Sequence, residues 1–261
     1  MCAFKSSSAA NPNAEGLQYH IRLKAGDIPP YVLIPGDPAR VEKIANLWDT
    51  SEPVANYRQY VTMKGTTGTA ELACTSSGIG SSALAIALEE LVRIGAHTFT
   101  RVGTCGSLQP DIRLGDIIIS TAAVRLDGAS KDYVRPEYPA VADYRVVGAM
   151  VEAAEKLGVR YHVGITASTD TFYCGQGRPG YGDYLPSFQE RILEDMQMAR
   201  VKNFEMESGC LFTLSSLFDV RAGCICVVVA DRVRDEFGIS DEAEMLPAQV
   251  AIEAMKILQS E

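Results

Sequence analysis

The chain carries 261 residues, 47% of them hydrophobic, with a formal net charge of −9. That length suits one α/β domain as well as two, with a substantial core in either case. The acidity argues against nucleic acid or an anionic membrane as a partner, because like charges repel, yet it leaves room for a small anion held by a few local arginines.

No run reaches the roughly 18 apolar residues of a membrane span. The opening, MCAFKSSSAANPNAEG, lacks the continuous apolar stretch of a secretory signal. We therefore expect residues 1–16 to be a flexible tail and residues 17–261 a single domain of a cytoplasmic protein. Cys2, Cys74, Cys105, Cys174, Cys210, Cys224 and Cys226 are odd in number, show no CxxC spacing and lie mostly in apolar or small-residue runs. They read as reduced thiols. Cys224 and Cys226, two apart on a strand, share one face without implying a metal, and no metal site is expected.

In chain order, YVLIP (31–35) reads as a strand and PARVEKIANLW (38–48) as a helix. AELACTSS (70–77) is a strand and SALAIALEELVRIG (82–95) a helix. TFTRVGT (98–104) and DIIISTAAV (116–124) are strands, followed by the helical YRVVGAMVEAAEKLG (144–158). HVGITAST (162–169) is a strand, MESGCLFTLSSLF (206–218) a helix, GCICVVVAD (223–231) a strand and PAQVAIEAMKILQS (247–260) a helix. Several of these strands are apolar throughout, as strands buried on both faces are. The alternation predicts an α/β fold, a three-layer sandwich in which a central mixed or largely parallel β-sheet is flanked by helices.

Ligands in such folds gather where strands end. IPGDPARVEKI joins a strand to a helix through Gly36, with Pro38 and Arg40 entering the helix. It reads either as an anion site at a helix N-terminus or as a plain helix start capped by Asp37. RVGTCGSLQP places Arg101 near the end of an apolar strand, with Thr104 close behind. The pair suits a phosphate, and a structural ion pair is the alternative. In KNFEMES, Glu205 and Glu207 share a face only if the segment is extended. They would then hold sugar hydroxyls, or simply line a solvated edge. VVVADRVRDE delivers Asp231 and Arg232 as an acid/base site or an ion pair. The loop DTFYCGQGRPGYG presents a planar amide, Gln176, and a planar guanidinium, Arg178, among four glycines.

VLIPGDPARVEKIA, RVGTCGSLQPDIRLGD, VRLDGASKDY, YPAVADY, TASTDTFYCGQGR and NFEMES occur in that order. Together they resemble the nucleoside phosphorylases of the hexameric type, and among these the uridine branch. The resemblance runs from about residue 17 to the C-terminus and weakens after Arg232. It implies reversible phosphorolysis of uridine to uracil and ribose 1-phosphate in nucleoside salvage, with Arg101, Glu207, Gln176 and Arg178 as catalytic groups. It assigns phosphate to Gly36, Arg40, Arg58, Arg101 and Thr104. Ribose falls to His20, Glu205, Met206 and Glu207, and the base to Phe172, Gln176, Arg178, Asp231 and Arg232. A uracil edge offers acceptor, donor and acceptor, which an amide and a guanidinium can satisfy. The resemblance further implies a hexamer, a trimer of dimers, in which Arg58 and His20 serve a neighbour's site. His97 and His162 match no role and read as structural.

Inorganic phosphate is a substrate in this reading, and no cofactor is implied. Gln59 and Ala83 stand where the uridine branch carries glutamate and serine that help to hold potassium, which argues against a bound monovalent cation. Asp231 stands where that branch commonly has asparagine and the purine branch an aspartate. A purine nucleoside phosphorylase acting on inosine or guanosine is therefore the alternative, with a non-catalytic nucleoside-binding protein behind it.

Overall fold

The central strands show why they carry apolar residues at successive positions. In a computed structural model that describes residues 4–6 and 8–260, Cys224, Cys226 and Val228 point into one buried cluster and Ile225 and Val227 into a second. All five belong to β12 (Arg221–Asp231). β8 (Ile117–Leu126) divides in the same way, Ile118 to one side and Ile117 and Ile119 to the other. Period-2 alternation thus feeds two cores at once. Cys2 lies outside the described residues.

One core lies under α2 (Ser81–Arg93) and α6 (Ser208–Leu217), through Leu84, Leu88, Leu211 and Phe212. The other lies under α1 (Pro38–Ala45), α4 (Tyr144–Lys156) and α7 (Asp241–Ser260), through Ile44, Met150, Ala251 and Met255. The fold is therefore the expected three-layer α/β sandwich. α1 begins as its sequence suggests: Asp37 Oδ1 accepts from Ala39 N at 2.9 Å and Pro38 occupies the first turn. α7 begins at Asp241, six residues ahead of the expected start at 247, and carries Pro247 inside it. Asp241, Glu242 and Glu244 in its first turn favour that longer helix, since acidic groups complement the N-terminal dipole.

The sheet is mixed. From β7 (Thr98–Ser107) it runs outward through β3 (Tyr31–Pro35) and β6 (Ala70–Thr75) to an antiparallel hairpin, β5 (Tyr60–Thr67) and β4 (Thr50–Tyr57). On its other side β7 pairs with both β11 (Asn203–Glu205) and β12. Because β12 also pairs with β8, β8 with β10 (Tyr161–Thr169), and β10 with β11, five strands close into a ring. Short strands β9 (Ala140–Val141) and β13 (Glu236–Phe237) add to β8 and β12. Two short helices, α3 (Ala129–Tyr133) and α5 (Ile192–Met198), flank the ring. Ahead of the sheet, β1 (Asn13–Ala14) pairs with β2 (Leu17–Gln18), so the stretch expected as a tail contributes one strand of a small hairpin.

Among the described residues no helix is long and apolar enough to cross a membrane. Cys74, Cys105, Cys174, Cys210, Cys224 and Cys226 are all free thiols, and the sulfurs of Cys224 and Cys226 lie 3.7 Å apart on one face of β12.

Candidate active site

A cavity of about 240 Å³ opens at the ends of β3, β7, β11 and β12. Gly36, Arg40, Arg101, Thr104, Phe172, Gln176, Arg178, Glu205, Met206 and Glu207, all named from the sequence, line it. A larger and more open cleft of about 440 Å³ lies along the β4–β5 hairpin, lined by Asp27, Glu52, Lys64 and Glu71, and it gathers none of these groups.

β7 continues to Ser107, so Arg101 projects from mid-strand rather than from its end. Its side chain folds back over Gly103, where a Cβ would stand 2.9 Å from Arg101 Nη2 and 3.1 Å from Cys226 Sγ. The glycine makes room for the guanidinium. Arg101 is only 5% exposed, and a buried cation needs partners. Nε donates to Glu205 Oε2 at 2.9 Å, and Nη2 pairs with Glu207. Burial alone would lower the Arg101 pKa, but Glu207 foremost, with Glu205, holds it well above the ordinary value.

Glu205 ends β11 and Glu207 lies just beyond, before α6. The strand stops at Glu205, and it is the bend through Met206 and Glu207 that brings both carboxylates to the same arginine. Glu205 also accepts from Glu207 N at 2.8 Å and from Ser208 N at 2.9 Å, which satisfies the first amides of α6. Its oxygens are thereby committed to positioning. Glu207 Oε1 accepts from Gly80 N at 2.6 Å. Burial pushes the Glu207 carboxyl above its ordinary pKa, against the pull of Arg101. Ser81 Oγ donates to Met206 O at 3.0 Å, so the start of α2 fastens onto the same segment.

Arg40 Nη2 donates to Glu244 Oε1 of α7 at 2.8 Å, while its Nε is buried without a hydrogen-bond partner. An orphaned guanidinium N–H on a cavity-lining arginine is a place for an anion to bind. Asp37 caps the helix, as the plain reading of the Gly36–Arg40 turn expects, and Arg40 also lines the cavity.

In the same cavity, Arg178 lies over the Phe172 ring at 4.1 Å, donates to Phe172 O at 2.8 Å and meets Gln176 Oε1 at 2.5 Å. Burial, then the like charge of Arg232, lowers its pKa to about 10. Gln176 is 3% exposed, and its Nε2 donates to Thr169 Oγ1 at 3.2 Å.

Four predicted residues do not line this cavity. Asp231 is buried and forms an ion pair, but with Arg234 rather than Arg232, and it also accepts from Val233 N and Arg234 N, each at 3.0 Å. Arg232 instead donates to the backbone of the loop, at Gln176 O, at 3.0 Å. His20 bonds Glu90 through Nδ1 at 2.7 Å. Arg58 is exposed beside Tyr19 and Tyr57. His97 and His162 lie outside the cavity, bonded to Thr98 and Asp116. The cavity also includes Ile79 and Phe237, two exposed apolar side chains not anticipated from sequence. Ile79 stands between Gly78 and Gly80 in the turn ahead of α2.

A family model described as the phosphorylase superfamily matches residues 30–258. The chain is 56% identical to a uridine phosphorylase of Thermococcus kodakarensis over 97% of its own length and 91% of that protein's. It is 41% identical to a uridine phosphorylase of Treponema pallidum over 92% and 94% of the two lengths. It is also 38% identical to a guanosine phosphorylase of Halorubrum lacusprofundi over 88% and 90%. With a family model spanning nearly the whole chain and the ordered motifs gathered around one cavity, this chain belongs to the phosphorylase superfamily.

Proposed function

We propose that the protein catalyses reversible phosphorolysis of uridine, giving uracil and ribose 1-phosphate. The observation that carries this reading is the placement of Gln176 and Arg178 on one wall of the cavity that also holds Arg40, Arg101 and Glu207. A phosphate oxygen forms the bond to C1′ as the C1′–N1 bond breaks, and the electron pair passes into the pyrimidine ring and its oxygens. Gln176 and Arg178 donate where that charge accumulates, so their bonds strengthen in the transition state. Glu207 accepts from a ribose hydroxyl. Arg101, Arg40 and Thr104 hold the phosphate beneath an electron-poor sugar. Met206 packs on the sugar, and Phe172 offers a ring face to the base.

No metal or organic cofactor enters these steps, and with Gln59 and Ala83 at the positions named above, no potassium requirement is expected. Sites shared between subunits fit two further observations. Arg58 stands at the tip of the β4–β5 hairpin with φ of +56°, a conformation costly for a non-glycine residue. Of the two ring nitrogens of His20, Glu90 bonds Nδ1, which leaves Nε2 to face another group. We therefore assign both residues to a neighbour's site in a hexamer, a trimer of dimers. Free cysteines suit a cytoplasmic enzyme.

The purine alternative has the guanosine phosphorylase relative behind it. It lacks an available acid, since Arg234 and two backbone amides take up Asp231. Uracil release from uridine should require phosphate and proceed equally well in potassium-free buffer. Release undiminished without phosphate would replace phosphorolysis by hydrolysis.

A further inference from the structure

We propose that Thr169 is a positioning residue that fixes which way round the Gln176 amide faces the base, and that this orientation discriminates against cytosine; the inference rests on the uridine reading above. Thr169 is the last residue of β10, buried and outside the cavity lining. Its hydroxyl donates to Thr171 O at 3.2 Å, which leaves it only lone pairs to offer Gln176. Gln176 Nε2 accordingly donates to it at 3.2 Å. At the other end of the amide, Arg178 has donors alone, so the atom facing it at 2.5 Å is the oxygen, Oε1.

The two ends are thus pinned by partners of opposite polarity. Turning the amide over would set its NH₂ against the guanidinium and force the Thr169 hydroxyl off Thr171 O. The segment carrying Thr169 is itself held firmly. Gly175 N donates to Thr171 Oγ1 at 2.7 Å, and Gly128 N donates to Asp170 Oδ2 at 2.7 Å. A Cβ on residue 175 would stand 2.6 Å from Thr171 Oγ1, so only glycine allows that turn to close.

Once pinned, Nε2 retains one N–H and Oε1 one lone pair for the base. Uracil matches both, with acceptor O2 and donor N3–H. Cytosine presents a bare N3 lone pair to Oε1, and its exocyclic amino group turns donors toward Arg178. A polar site rejects a base that leaves its groups unpaired far more strongly than an apolar site rejects a wrong shape.

The test compares Thr169→Val, which removes the hydroxyl at nearly constant shape, with Thr169→Ser, which keeps it. Each is assayed on uridine and cytidine at saturating phosphate, with the inhibition constant of cytidine read where its turnover is too slow. Thr169→Val should lower kcat/KM for uridine by about tenfold or more, as an unpaired buried amide does. Cytidine should change little, so the preference narrows by a similar factor, and Thr169→Ser should keep the wild-type preference. Thr169→Ala replaces the valine variant if that protein does not fold. Parallel losses on both nucleosides would reduce Thr169 to a loop support and overturn the proposal, as would an unchanged preference. A wild-type protein that leaves uridine intact would instead sink the functional reading, and this inference with it.

Discussion

Arg101 spans two carboxylates before any substrate arrives, one fixed and one able to change partners. Glu205 is tied to the backbone of α6, whereas Glu207 is held by Arg101 and a single amide, that of Gly80. Ribose binding therefore asks Glu207 to exchange one set of donors for another, which it can do only as a carboxylate. Burial raises its pKa above the ordinary 4.5, so kcat/KM for uridine should fall as pH drops through a value higher than an exposed glutamate would give. A pH profile of kcat/KM checks this limb. An acid limb at the ordinary carboxylate value would refute the assignment.

The elements of the two-sided core were legible in the sequence because burial on both faces leaves an unmistakable apolar run. The β4–β5 hairpin was not. TSEPVANY and YVTMKGTT mix charged, polar and apolar residues because they form the open wing of the sheet, where β4 is exposed along much of its length and β5 is only partly buried. β11 escaped notice because it is only three residues long. In the site, the groups that meet the cavity carried strong motifs. Thr169 and Thr171, which hold those groups, looked like ordinary strand-end threonines. Asp231 could be an acid or half of an ion pair on sequence alone, and only the fold shows that its partner is Arg234 rather than the adjacent Arg232. Packing of α4 on β12 offers a test at this scale. A Cβ on Gly223 would lie 2.5 Å from Val146 Cγ1 and 2.8 Å from Met150 Cε. Gly223→Ala should cost about 1–3 kcal/mol through overpacking, read from the denaturant midpoint, with kcat per folded molecule preserved. An unchanged midpoint would mean that α4 sits more loosely than described.

For the whole molecule, the placement of Arg58 and His20 away from their own cavity makes subunit exchange informative. If both serve one neighbour, His20→Ala mixed with Arg58→Ala should recover nothing, since each site then lacks one of the two. His20→Ala mixed with Glu207→Ala should recover activity, because one site in every mixed dimer has a full set of groups. Both outcomes are read as uridine turnover after exchange, and the opposite pattern would rule out the shared geometry.

The closed ring has a mechanical consequence. Arg101 on β7 and Glu205 on β11 belong to strands whose spacing is locked by hydrogen bonds running all the way round, like staves in a hoop. Such a floor cannot hinge in the middle, because no seam is free to part. Accommodation of a substrate must therefore come from the turns mounted on its rim: the one carrying Ile79 and the one carrying Gln176. These are also the parts that can be exchanged for others without disturbing the hoop. A single frame can thus keep its phosphate and sugar grips while a different rim reads a different base.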